Sequence, residues 1–336
     1  MTALASSLRR GLRLLIGVSV LAVTTVSVPA VSEAAGGSYV ALGDSYTSGV
    51  GTRSYLADGT SCQRSVYSHP SLIAAQRGYS LNFRACSGAT VADVTNLQLG
   101  ALSSGTDYVS ISVGGNDAGF AKVITACAQP WWAANCNAEV DKAQTYIKNT
   151  LPSALSTLYS RIHNRAPNAT VVVVGYPRLF MGEDCNAGTW FSSAEMQRLN
   201  ETADLLNSKT SAQATAKGFA FADPSSRFVG HAVCDDVEWV NGLSYPISES
   251  YHPNRAGQSS GYQPVVSPLL TGTSTAVTPA TLAAAAASSD DLAARQRPYA
   301  ARDAAIEPTV FRIPDLTTPA AQAAARRAGI NVERWL

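Results

Sequence analysis

The chain of 336 residues is 46% hydrophobic and 15% charged, with a formal net charge of +1. That balance can build a sizeable core and excludes wholesale disorder. Its basic residues are scattered rather than clustered, so no nucleic-acid partner is expected.

The amino terminus reads as an address. Arg9, Arg10 and Arg13 form a positive region, and the apolar run Leu14 to Val31 is interrupted by Ser, Thr and Pro. Ser32-Glu33-Ala34 then supplies small residues where a signal peptidase reads. Residues 1–34 are expected to be a signal peptide, giving a secreted, extracellular protein with no stable membrane anchor after cleavage. The Arg9-Arg10 pair also fits a twin-arginine signal, and one dipeptide does not choose the route. In an exported chain the six cysteines Cys62, Cys86, Cys127, Cys136, Cys185 and Cys234 read as disulfides, with every pairing open to sequence. The short Cys127–Cys136 separation suits a local loop closure. No Cys-x-x-Cys or close His/Cys pair speaks for zinc, and no metal is expected.

From Gly36 to about Gly272 the pattern alternates. Strands are predicted at Ser38–Leu42, Leu81–Ala85, Tyr108–Val113, Val171–Val174 and Phe219–Phe221. Ser38–Leu42 and Val171–Val174 are continuous apolar runs, as for strands covered on both faces, while Leu81–Ala85 alternates and suits a place nearer the edge. Helices are predicted at Pro70–Arg77, Ala118–Ala126, Val140–His163 and Ala194–Ala216. Ala143, Ile147, Leu151, Leu155 and Leu158 recur at spacings of three and four, so Val140–His163 faces a core, and Pro152 kinks it or splits it in two. This alternation implies a single three-layer α/β domain, residues 36–272, with a mostly parallel sheet. Beyond it, Thr273–Ser289 is rich in Ala, Thr and Ser and reads as a linker. Leu292–Leu336 keeps Tyr299, Val310, Phe311, Ile313, Leu316, Ile330 and Trp335, with a short helix at Pro319–Gly329. Residues 273–336 thus form an extension without a motif, which either docks or stays mobile.

Chemistry concentrates in four blocks. Tyr39 to Leu42 is a short apolar strand running into Gly43-Asp44-Ser45, which turns the chain and delivers a serine at a strand's carboxyl end. Taken alone, Ser45 is more often a helix cap. Cys86-Ser87-Gly88 places a glycine amide after the second strand, and Gly114-Gly115-Asn116-Asp117 offers an amide side chain after the third. Ser250-Tyr251-His252-Pro253 puts a histidine on a loop ahead of a helix, with Pro253 suited to that helix's first turn. A serine hydroxyl becomes a nucleophile when a base takes its proton, and histidine is best poised for that near neutral pH. Ser45 N–H, Gly88 N–H and the Asn116 side chain can hold an oxyanion, where one donor is worth roughly 3 kcal/mol of barrier. Each block is weak singly; four in this order are hard to explain as packing.

Gly43-Asp44-Ser45, Gly88, Gly115-Asn116-Asp117 and His252 resemble the four blocks of the SGNH (GDSL) hydrolase superfamily. With the cysteines and export signal, the chain is similar to its secreted bacterial esterase, lipase and phospholipase A branch, over about Ser38 to Gly272. The resemblance implies a flavodoxin-like α/β/α sandwich with a central, mostly parallel sheet of about five strands. It implies Ser45 as nucleophile, His252 as general base and acid, and Gly88 and Asn116 completing the oxyanion hole. It also implies the pairing Cys62–Cys86, Cys127–Cys136 and Cys185–Cys234. One departure concerns the acid three residues before the histidine, usually Asp and here Glu249. Its carboxylate is expected to orient the imidazole; the alternative is a backbone carbonyl of Glu249 or Ser250.

Other polar residues have plainer readings. Asp44 and Asp117 are expected to fix their turns. His69, His163 and His231 lack a partner motif, and Trp131, Trp132, Trp190, Phe191 and Trp239 form either an acyl-chain rim or packing around the disulfides. No Gly-x-Ser-x-Gly elbow or phosphate loop is present. The expectation is therefore a serine ester hydrolase, monomeric and without a cofactor, acting on a small-molecule or lipid ester. A carbohydrate O-deacetylase on the same scaffold and a non-catalytic surface-binding module are the alternatives.

Overall fold

The structure, a computed structural model, describes residues 36–336. The expected signal peptide, residues 1–34, lies outside them. The elements run β1 (Gly36–Gly43), α1 (Ser45–Ser48), α2 (His69–Arg77), β2 (Tyr79–Phe83), α3 (Val91–Asp93), β3 (Tyr108–Ser112), α4 (Phe120–Cys127), α5 (Cys136–Asn149), α6 (Leu151–Arg165), β4 (Thr170–Val174), α7 (Ser193–Ala216), β5 (Ala220–Ala222) and α8 (Gln263–Thr271). The five strands pair in parallel in the order β2-β1-β3-β4-β5. One helical layer has α2 and α8, the latter against β3, β4 and β5; the other has α5, α6 and α7. This is the α/β/α sandwich, and its strand order reverses beside β1, where β1 and β3 open a crevice at their carboxyl ends.

The local reasons are in the residues. Tyr39–Leu42 and Val171–Val174 are buried, as strands covered on both faces require. β2 alternates and lies at the sheet's edge. The long amphipathic pattern is two helices, broken at Thr150, with Pro152 in the first turn of α6, where a missing N–H costs nothing. Ala143, Ile147, Leu151, Leu155 and Leu158 are all buried along that face. The chain's disulfides are Cys62–Cys86, Cys127–Cys136 and Cys185–Cys234.

The extension differs from the linker reading. Thr273–Ser289 holds α9 (Pro279–Ala287), followed by α10 (Ser289–Gln296), α11 (Ala300–Asp303) and α12 (Pro319–Ala328). Thr278 caps α9 by accepting from Thr281 N–H, Pro279 opens it, and an alanine run continues it. Alanine is the strongest helix former, and its small side chain lets α9 pack closely on α2. α10 lies against the β2 edge, where Arg295 donates to Ser80. Asp303, fully buried, meets two buried arginines of the domain, Arg64 and Arg84. Further on, Leu316, Ala324, Ala325 and Val332 build a small second core around Trp132. Among the described residues, no helix is long and apolar enough to cross a membrane.

Candidate active site

Ser45 stands at the crevice because the chain turns sharply after β1. Gly43 has φ +119°, and a side chain there would strike the Ser112 backbone of β3. Gln98 braces the turn, accepting from Gly43 N–H at 2.7 Å and donating to Gly43 O at 2.9 Å. Asp44 caps α1 by accepting from Tyr46 N–H at 3.0 Å. Its second oxygen accepts from the Tyr176 hydroxyl, which in turn accepts from Gly115 N–H at 3.3 Å. Burial pushes the Asp44 carboxyl up to about 7. Asp44 is thus a turn support linked to the glycine-rich loop. Asp117 likewise accepts from Val91 N–H, tying that loop to α3.

His252 and Ser45 are brought together across the crevice, with Nε2 at 2.9 Å from Oγ. Nδ1 lies 2.9 Å from the Ser250 carbonyl oxygen. A carbonyl only accepts, so Nδ1 carries the hydrogen and Nε2 of the neutral ring is free to take the serine proton. The ring packs between Tyr46 and Phe120, at centroid distances of 5.2 and 6.1 Å. Burial there holds the imidazole down to about 4, against the partial support of the Ser250 hydrogen bond.

The Glu249 carboxylate, expected to orient His252, makes no hydrogen bond to the ring. It is buried and accepts from the Tyr55 hydroxyl at 2.6 Å, with Arg53 Nε at 3.5 Å. Glu249 closes a single 3-10 turn, and Tyr251 then adopts φ +60°, so the Ser250 carbonyl and not the acid faces the ring. The carboxylate instead joins the histidine loop to the segment after α1.

Of the three expected oxyanion donors, Ser45 and Asn116 line one pocket. Asn116 Nδ2 donates to Ala89 O at 3.0 Å, which anchors one amide hydrogen beside Gly88 and leaves the other available. Among the described residues, neither Ser45 N–H nor Gly88 N–H donates to an acceptor of the chain. Gly88 sits at φ +86° on a loop held by Cys62–Cys86, where Ser87 N–H also donates to Cys62 O. The pocket runs from Ser45 between α4, α5 and α7, and Phe120, Val123, Ile124, Ala143, Ile147 and Leu206 make it apolar. An acyl chain suits such a lining.

The tryptophans do not line that pocket. Trp132 and Trp190 pack on Trp335, Trp239 stacks on His231, and Trp131 is exposed. His69 is buried against Tyr262 and bonded to Gln258, and does not line the Ser45 pocket. Tyr176 and Gln98, which set the site, escaped sequence reasoning. Their signal is spatial, since Gln98 acts across 55 residues of chain and Tyr176 across 132.

Residues 41–259 match the GDSL-like lipase/acylhydrolase family. A lipase of Streptomyces rimosus is 47% identical over 230 residues, which is 68% of this chain and 85% of that protein. Lipase 1 of Streptomyces coelicolor is 45% identical over 240 residues, 70% of this chain and 88% of that one. Two solved structures superpose with a TM-score of 0.65 at 45% identity: the extracellular lipase of Streptomyces rimosus and phospholipase A1 of Streptomyces albidoflavus NA297. They are matched over 98% of their length by 68% and 69% of this chain, respectively.

Proposed function

Because this chain belongs to the GDSL-like lipase/acylhydrolase family and is a carboxylic ester hydrolase, we propose that it cleaves lipid acyl esters outside the cell through an acyl-enzyme on Ser45. The observation that carries this reading is the 2.9 Å separation of Ser45 Oγ from His252 Nε2. The names of the relatives, lipases and a phospholipase A1, support lipid acyl esters as the substrate class. The three disulfides and the extracellular relative support export.

Ser45 Oγ attacks the ester carbonyl carbon while its proton passes to His252 Nε2. The resulting imidazolium keeps its Nδ1 hydrogen on the Ser250 carbonyl, so the ring does not swing away as it charges. Negative charge develops on the former carbonyl oxygen, held by Ser45 N–H, Gly88 N–H and the free Asn116 amide hydrogen. His252 returns its proton to the leaving alkoxide, and the acyl group stays on Ser45 with its chain in the apolar pocket. Water then enters, gives its proton to His252 and releases the acid by the same steps. Burial of His252 favours the neutral ring, the form needed before attack.

Ser45→Ala tests the reading. Hydrolysis of a short-chain nitrophenyl ester should disappear while the melting temperature holds, and retained hydrolysis would overturn it.

A further inference from the structure

Residues 304–318 form an irregular strap between α11 and α12. At one end Asp303 is held by Arg64 and Arg84; at the other, Leu316 enters the core around Trp132. Between these anchors the strap packs at three places on segments that carry site residues. Over the first, a Cβ on Gly88 would lie 2.6 Å from Pro308 Cα and 2.8 Å from the Glu307 carbonyl oxygen. On the second, Phe311 packs edge-on against Tyr251, the neighbour of His252, at a centroid distance of 5.0 Å. At the third, Arg312 N–H donates to Thr125 Oγ1 at 3.1 Å on α4, the helix whose Val123 and Ile124 line the acyl pocket. Ile306 and Phe311 are buried, and Ser45 is only 6% exposed. The family match ends at residue 259, ahead of the whole strap.

We propose that this strap is a specificity wall: Pro308 and Phe311 narrow the approach to Ser45, so that the intact chain prefers slim, singly dispersed esters over lipids packed in an aggregate. The inference rests on the reading of Ser45 as the nucleophile of an ester hydrolase. A strap fixed at both ends and at three points between cannot part without exposing its buried side chains. A dispersed ester enters end-on past it. A lipid in a bilayer must first leave the aggregate and then thread its acyl carbonyl under Pro308. Gly88 serves both parts, since any side chain there would meet the strap at the position that supplies an oxyanion donor.

The experiment compares kcat/KM for dissolved nitrophenyl butyrate and for sonicated dioleoylphosphatidylcholine vesicles, using full-length protein. The Pro308→Gly/Phe311→Ala variant should raise the vesicle-to-butyrate ratio roughly tenfold, the scale on which a pocket wall discriminates, with butyrate hydrolysis little changed. The milder Phe311→Leu variant should move the ratio in the same direction, and it decides the matter if the double variant fails to fold. An unchanged ratio in a folded variant overturns the proposal. A parallel fall on both substrates also overturns it, because the strap would then be scaffolding for the site. Ser45→Ala in the same assay separates the two claims: if it still hydrolyses butyrate, the nucleophile reading fails whatever the ratio does.

Discussion

Asp303→Asn is expected to destabilise the whole catalytic domain, although it lies in the extension and far from Ser45 in sequence. The Asp303 carboxylate is fully buried and shared by the guanidiniums of Arg64 and Arg84, which are themselves buried. Asp58 balances Arg64 at 2.7 Å, but Arg84 is then left with only the Gln296 side-chain oxygen at 3.1 Å and the face of Tyr299. Removing one partner of a buried ion pair costs about 3–5 kcal/mol, because the charge left behind stays buried without compensation. For a domain of this size each kcal/mol lowers Tm by roughly 2 °C, so a drop of about 6–10 °C is expected. Thermal unfolding followed by circular dichroism measures it. Asp141→Asn is the control, breaking the exposed Arg198–Asp141 pair, and should cost about 1 kcal/mol or less. Adding Arg84→Met to Asp303→Asn should recover part of the loss by removing the orphaned charge. If Asp303→Asn costs no more than the control, the extension is not electrostatically locked to the domain. Truncation after Gly272 removes the same carboxylate together with the packing of α9 on α2 and of Phe311 on Tyr251, so it should lower Tm by more than Asp303→Asn does.

The remaining predictions concern the crevice. His252 must be neutral to accept the serine proton, and burial holds it near 4 rather than at its ordinary 6.5, so kcat/KM should persist as pH falls through 6.5 and decline only toward about 4. An acid limb at the ordinary histidine value would contradict the buried, neutral ring. Asn116→Ala should lower kcat by about 10²–10³ with less effect on KM, the loss of one oxyanion donor, and an unchanged kcat would remove Asn116 from that role. Glu249→Gln should leave kcat nearly intact because the Ser250 carbonyl holds Nδ1; a loss of about tenfold or more would restore the carboxylate as the orienting group.

Much of this was legible in the sequence, for local reasons. The apolar runs of β1 and β4, the alternation of β2 and the spacing along α5 and α6 are consequences of burial within a few residues, and so is the turn at Gly43. The limit was reached where position depends on distant partners. β2 spans Tyr79–Phe83 rather than Leu81–Ala85 because the regular ladder to β1 breaks beyond Phe83, where Arg84 N–H and Ala85 N–H both donate to the one Ala41 carbonyl. The identity of the histidine's partner depended on the backbone of Tyr251 turning to positive φ, and no side-chain pattern announces that. The alanine-rich stretch after Gly272 misled for a different reason. Low hydrophobic content reads as a linker, yet alanine with a threonine cap forms α9, and a close fit on α2 compensates for the small side chains. That same extension carries the strap and Asp303, so the part of the chain with no motif became the part that packs on the Gly88 loop and on α4.

The most direct test of the central claim is covalent labelling of the intact protein with a fluorophosphonate, which reacts with an activated serine hydroxyl. One adduct per chain, located by peptide mass on Ser45 and matched by loss of ester hydrolysis, is the predicted result. A label on another residue, or full hydrolytic activity after Ser45 is labelled, would contradict the account.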